Sequence, residues 1–213
     1  MIISHRHRFI FFAIPKTGTH SIRRALRPHL ADTDLEQVGL FENRQFPYPE
    51  LARLKHGHIN VEQIRPALGE ACFTEYFKFA FVRNPFDRYV SYCAFISRDS
   101  GQFRAAPRDF MKRVLTEIRP VGHLLFRPQW EFISDGDGRI AMDYVARFEH
   151  MQDGYRNICA RLHIAAAALE HSNESSRGNY RNYYDEELKA MVADAYAEDC
   201  RHFGYNFDGE VAA

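Results

Sequence analysis

The apolar positions fall into two kinds of run. Phe9-Ile10-Phe11-Phe12-Ala13-Ile14 and Lys78-Phe79-Ala80-Phe81-Val82 are short and nearly continuous, the pattern of strands buried on both faces. Tyr144 to Phe148 predicts a third, weaker strand. Elsewhere the apolar residues recur every three or four positions. Ile22, Ala25, Leu26 and Leu30 form one stripe, with Arg23, Arg24 and Arg27 around it. Tyr89, Tyr92, Cys93 and Ile96 form a second. Asn84 and Pro85 ahead of it are a good N-cap and first helical residue. Tyr155, Ile158, Cys159 and Leu162 form a third stripe; Leu188, Met191, Val192, Ala195 and Tyr196 form a fourth, starting near Asp185. Ala31 to Glu50 has turn residues and little period, and predicts a long loop with room for one helical turn. Strands alternating with helices predict an α/β domain over residues 1–213, with a central parallel sheet and helices on both faces. Ligands of such sheets bind beyond the carboxyl ends of the strands. The strand ends at Pro15 and Arg83 are therefore expected to face one cleft.

Composition narrows the class. Of 213 residues, 46% are hydrophobic and 26% charged, which excludes a disordered chain, a collagen and a coiled-coil rod. No apolar run approaches the 18 residues of a membrane span. The run at Phe9 is six residues long with no small-residue cleavage site after it, so it predicts a strand rather than a secretory signal, and a cytoplasmic protein. Cys72, Cys93, Cys159 and Cys200 form no C-x-x-C pair, which argues against a zinc ribbon or redox dithiol and for free thiols in a reducing compartment. The formal charge of zero hides an asymmetry: residues 1–120 hold 19 Lys and Arg against 12 Asp and Glu, and residues 121–213 hold 9 against 16. A basic half suits a polyanionic small ligand; the alternative is that the charges interleave in space and cancel. No nucleic-acid partner is expected.

Two segments carry candidate chemistry. Pro15-Lys16-Thr17-Gly18-Thr19-His20-Ser21 lies between a strand and a helix. Backbone N–H groups at a helix start hold anions, Gly18 permits close approach, Lys16 adds a charge, and Thr17, Thr19 and Ser21 add hydroxyls. The order G-x-x-x-x-G-K-[ST] is absent, so this is not a standard P-loop. The second strand ends in Arg83-Asn84-Pro85-Phe86-Asp87-Arg88-Tyr89-Val90-Ser91. A nucleotide hydrolase wants an acid there to hold magnesium; an arginine suits a dianionic phosphate instead. The competing structural reading is an Arg–Asp pair and a small core serine.

Together these segments resemble the two cofactor-binding motifs of the carbohydrate sulfotransferase family, which includes the heparan sulfate 2-O- and chondroitin 4-O-sulfotransferases. The resemblance implies a P-loop-like, three-layer α/β fold and a donor, 3′-phosphoadenosine 5′-phosphosulfate, with adenosine 3′,5′-bisphosphate as product. It assigns Lys16, Thr17, Gly18, Thr19, His20 and Ser21 to the 5′-phosphosulfate, and Arg83 and Ser91 to the 3′-phosphate. Lys55-His56-Gly57-His58-Ile59, Arg127-Pro128-Gln129, Arg147-Phe148-Glu149 and the tail from Asn173 to Phe207 continue the likeness. In that tail Ser176 or Arg177 is expected to help hold the 3′-phosphate or adenine side. His123 departs from the pattern by lying farther ahead of Pro128-Gln129. A carbohydrate hydroxyl is the implied acceptor, with 31–53 and 98–123 as its candidate loops; the latter carries Arg98, Arg104, Arg108, Lys112 and Arg113.

Sulfuryl transfer to a hydroxyl requires a base, and histidine is the usual one near neutral pH. His56 and His58, one residue apart on an extended segment, point to one side. His58 is the expected base and His56 its partner or orienter, with Glu62 a weaker candidate. H-x-H also binds zinc, but no third ligand is evident, and no metal is expected. Trp130 and the tyrosines of 180–184 are expected to pack. The rival functions are a nucleotide-dependent kinase on the same architecture, and a non-catalytic module binding anionic glycans.

Overall fold

The computed structural model describes residues 1–40, 42–170 and 178–210. In chain order the first elements are β1 (Ile2–Ser4), β2 (Phe9–Phe12), α1 (Thr19–Leu26), β3 (Leu35–Glu36), α2 (Pro49–Ala52), α3 (Val61–Leu68), α4 (Glu70–Glu75) and β4 (Phe77–Val82). There follow α5 (Pro85–Ile96), α6 (Gln102–Ala105), α7 (Pro107–Arg113), α8 (Trp130–Ile133), β5 (Tyr144–Arg147), α9 (Met151–Leu162), α10 (Glu186–Ala195), α11 (Ala197–Phe203), β6 (Tyr205–Asn206) and β7 (Gly209–Glu210). The chain divides into two compact units. One is Met1–Val82 with the segment beginning at Gln129; the other is Arg83–Pro128 with the C-terminal segment.

The first unit is the α/β one. Its five strands lie in the order β3-β1-β2-β4-β5. β2, β4 and β5 are parallel, in register Phe12 with Ala80 and Val82 with Arg147. β1 runs antiparallel to both β2 and β3. Every residue from Phe9 to Phe12 is fully buried, because parallel central strands are covered on both faces. On one face Phe9, Phe11, Phe79, Phe81 and Ala146 pack with Ile22 and Leu26 of α1 and Tyr155, Ile158 and Leu162 of α9. Phe11 and Phe79 stack with centroids 5.4 Å apart, and the Tyr155 hydroxyl donates to Ala25 O at 3.1 Å. On the other face Lys78, paired with Ile10 in register, lays its ammonium over the Phe73 ring of α4 and bonds Asp143 at 2.9 Å.

α1 ends where Pro28 tightens the chain into a 3-10 turn, Arg27–His29. Its buried face is Thr19, Ile22, Arg23 and Leu26, so Arg23 lies on the apolar stripe rather than beside it. The 31–50 segment is less empty than its pattern suggests, holding β3 and the start of α2. α3 opens with a capping box: Asn60 Oδ1 accepts from Gln63 N at 2.9 Å, and Gln63 Oε1 accepts from Asn60 N at 3.0 Å.

The second unit is largely helical, around a core rich in tyrosine. The hydroxyls of Tyr89, Tyr184 and Tyr196 donate to Met111 O, Phe86 O and Phe126 O at 2.7–2.8 Å. Tyr184 packs edge-on against Phe86 and Phe207, the packing role expected of 180–184. The 98–123 segment is helical, through α6, α7 and a π-helical turn at Val114–Ile118. None of the four cysteines is in a disulfide. Among the described residues no helix is long and apolar enough to cross a membrane.

Replacing the α3 cap, Asn60→Ala, should lower stability by about 1 kcal/mol. Urea unfolding should show a lower midpoint at unchanged slope; an unchanged midpoint would mean that the box adds nothing to the start of α3.

Candidate functional site

The turn from β2 into α1 is set by two left-handed residues. Lys16 has φ 67° and Gly18 φ 77°, on either side of Thr17. Such alternation turns successive N–H groups toward one side. Thr17 is fully buried, and its hydroxyl donates to Ile14 O at 3.0 Å, so that hydroxyl closes the turn. Gly18 is the N-cap of α1, without a side-chain cap and with no acidic residue in the first turn. Its carbonyl accepts from Ser21 N at 3.1 Å and Ile22 N at 3.4 Å. The positive end of the helix is thus left for an anion. A Cβ on Gly18 would come within 2.4 Å of Met151 Cε and 3.2 Å of Phe148 Cδ2. The side on which a side chain would project is already filled by the entry to α9.

The rest of the segment is cationic. Thr19 is buried, Lys16 and His20 are half-buried, and the Ser21 hydroxyl donates to Glu170 O at 2.9 Å. Burial, then the charges of Arg23, Lys16, Arg24 and Arg27, hold the His20 imidazole below its ordinary pKa. Arg24 pairs with Glu170, and Arg27 with Glu36 and Glu42.

The Lys55–Ile59 segment is brought to this turn. His58 Nδ1 lies 2.6 Å from Ala13 O. A carbonyl only accepts, so Nδ1 carries the proton and the Nε2 lone pair is the basic one. His58 keeps a partly accessible edge within dense surroundings. Burial pushes its pKa down to about 3, against the opposing effect of the Ala13 bond. The orienting group is therefore a backbone carbonyl. His56 lies with its ring centroid 6.3 Å from that of His58. Its pKa is also lowered, chiefly by burial, and its buried Nδ1 has no hydrogen-bond partner. Glu62 is exposed on the first turn of α3.

Gln37, a residue with no sequence signal, holds this segment. It is fully buried. Its Nε2 donates to Leu51 O at 2.7 Å and His56 O at 2.8 Å, and its Oε1 accepts from Phe46 N at 3.0 Å. Met1 N donates to Gly57 O at 2.6 Å. A Cβ on Gly57 would fall 2.0 Å from Gln37 O, so only glycine fits between the two histidines.

In the second unit, Arg83 donates through Nε to Asp87 Oδ2 at 2.7 Å, with Nη2 2.6 Å from the same oxygen. Asn84 Oδ1 caps α5 by accepting from Phe86 N at 3.0 Å. α5 runs past Ser91, which is buried and lies one helical turn beyond Asp87. Arg88 is 1% exposed and donates to Leu125 O and Arg127 O, a packing role. His123 Nδ1 lies 3.1 Å from the Tyr92 hydroxyl. Of the six Lys and Arg residues in 98–123, Arg108 and Lys112 pair with Asp185, Arg98 pairs with Asp99, and Arg119 donates to Thr116 O. Arg113 bonds the Gln102 amide and Arg104 is exposed. Ser176 and Arg177 lie outside the described residues. Among those residues, no three His, Cys, Asp or Glu side chains gather as a metal site would require.

The chain matches the sulfotransferase family model over residues 1–206 and belongs to that family. Its activity class is accordingly sulfuryl transfer. A crystal structure of a sulfotransferase from Alicyclobacillus acidocaldarius is similar at 18% identity and a TM-score of 0.43, over 90% of this chain and 94% of that one. A search of curated proteins returned no match.

The His58 environment makes a pH prediction. Its ordinary pKa of 6.5 falls to about 3 on folding. The unfolded chain therefore binds the extra proton, and stability falls as pH drops from 6.5 toward 3. His20 and His56 act in the same direction. His58→Gln should lose less stability than the parent between about pH 7 and pH 5, measured by urea unfolding. Parallel losses would mean that folding leaves the imidazole solvated.

Proposed function

We propose that the protein transfers the sulfuryl group of 3′-phosphoadenosine 5′-phosphosulfate to a hydroxyl, with a carbohydrate as acceptor. The observation that carries this reading is the 2.6 Å bond between His58 and Ala13 O. It ties a neutral imidazole, with its lone pair on Nε2, to the strand end that feeds an uncapped, lysine-bearing helix start.

The residues fit such a donor. The first-turn N–H groups of α1 and the Lys16 ammonium suit a phosphosulfate. The donor supplies a sulfuryl group on a phosphate leaving group. His58 Nε2 takes the acceptor's hydroxyl proton as the new S–O bond forms and the bridging S–O bond breaks. Lys16 and the N–H groups of the α1 turn stabilise the charge that develops on the departing phosphate. An anion in the cradle also raises the basicity of His58, since opposite charge favours the imidazolium. Arg83, held by Asp87, and Ser91 on the same helix face are assigned to the 3′-phosphate. His56, with its unpartnered Nδ1, is the second candidate for the proton. Four cysteines without a disulfide fit a reducing, cytoplasmic setting.

Adenosine 3′,5′-bisphosphate should raise the melting temperature without magnesium, and Arg83→Ala should abolish most of that shift. A shift with magnesium-ATP alone would favour a kinase and overturn the donor assignment. In turnover assays with the labelled donor, Lys16→Ala should act mainly on kcat, and His58→Ala should lower kcat by about 100-fold or more. A His58→Ala enzyme with parental kcat would move the base to another residue.

A further inference from the structure

We propose that Arg23 binds the transferring sulfuryl group, resting on the donor reading above: it is an oxyanion ligand on the buried face of α1, one turn from the cradle. Arg23 is 5% exposed. Its guanidinium makes no hydrogen bond or ion pair with a described residue, and the charge of Glu36 acts on it from beyond ion-pair distance. A buried charge without a partner is costly, and such charges are ordinarily paired. The nearby carboxylate is already in use: Glu36 accepts from Arg27 Nε and Nη2 at 3.0–3.2 Å and from Arg44 Nη1 at 3.0 Å.

The position of Arg23 gives its target. It shares the buried face of α1 with Thr19, one turn earlier. Helical side chains lean toward the N-terminus, which aims this guanidinium at the uncapped first turn. Its positive charge also acts on His20, His58 and the Met1 nitrogen. An anion placed there meets Lys16, the α1 N–H groups and Arg23 together. The planar fork of a guanidinium matches two oxygens of one tetrahedral group. The bisphosphate product lacks the sulfuryl group, so Arg23 should distinguish donor from product, whereas Lys16 touches both.

The design also has a stability signature. An unpaired buried cation opposes folding of the ligand-free protein, and an apolar side chain of similar length should relieve it. A merely structural arginine would show the reverse.

The test compares the full-length parent with Arg23→Met and Arg23→Lys. Affinities for the donor and for adenosine 3′,5′-bisphosphate are measured by calorimetry. Melting is followed with sodium sulfate against sodium chloride at equal ionic strength. Arg23→Met is expected to melt at or above the parent, to bind the bisphosphate within about twofold of it, and to bind the donor at least about tenfold more weakly, the scale of one charged hydrogen-bonding partner. Its extra stabilisation by sulfate should vanish. Equal donor affinity, or an equal loss for donor and bisphosphate, would overturn the proposal. If Arg23→Met does not fold, Arg23→Lys decides, because it keeps the charge and loses the fork: weaker donor binding with unchanged product binding supports the assignment, and parental binding overturns it. A parent that binds neither nucleotide ends the donor reading, and the sulfate arm then decides for Arg23. Loss of sulfate stabilisation in the variant keeps the oxyanion site. No sulfate effect in the parent, or an unchanged one in the variant, removes it.

Discussion

One hydrogen bond organises the α/β unit's chemistry. The Ala13 carbonyl lies just beyond β2, where the strand's ladder partners have run out, and His58 Nδ1 takes up the bond 45 residues later in the chain. That contact fixes the imidazole tautomer and holds it beside the turn that becomes α1. It also explains why so much structure is spent on residues 55–59. The Gln37 amide, the Met1 nitrogen and the absence of a side chain at Gly57 all serve to keep the segment against the strand end. A buried amide with three satisfied hydrogen bonds permits little slack, and catalytic geometry tolerates little.

The charge asymmetry resolves in two ways. Much of the basic first half is neutralised locally: Arg27 and Arg44 share Glu36 and Glu42, Arg8 meets Glu75, and Arg65 meets Glu70. These pairs are examples of the alternative in which charges interleave and cancel. The start of α1 differs in having no acidic residue in its first turn and a buried arginine on its inner face. The local excess there, rather than the net charge of the half, is what bears on ligand chemistry.

The elements that were legible in the sequence are those with long or strongly periodic patterns. β2, β4 and β5 follow their apolar runs to within a residue or two, and α1, α5, α9 and α10 follow their stripes. β1, β3 and α2 are two to four residues long, too short for any period to show. The antiparallel edge of the sheet went unread for that reason. In 98–123 the short helices depend on tertiary aromatic packing around Phe103 and Phe110, so polarity made them look like loop. At the site, Lys16, Gly18 and the H-G-H element were visible as residue types at a strand end. Which hydroxyls were already committed was not: Thr17 and Ser21 bond backbone carbonyls. Arg23 reads as one of three arginines beside the stripe, and its burial shows only in the structure. Gln37 had none, since a lone glutamine among polar neighbours acquires its role only when three chain segments converge on it.

A helix start with Lys16 just before it, no acidic residue in its first turn and a buried Arg23 on its inner face is electrostatically suited to an anion. Whatever anion occupies it acts as part of the fold. The protein's lifetime in a cell is then tied to the supply of that anion. When the anion is scarce, more of the chain stands open to proteases at any moment. On the proposed donor reading, abundance would follow the ligand, and the level of the protein would report the metabolic state that feeds it.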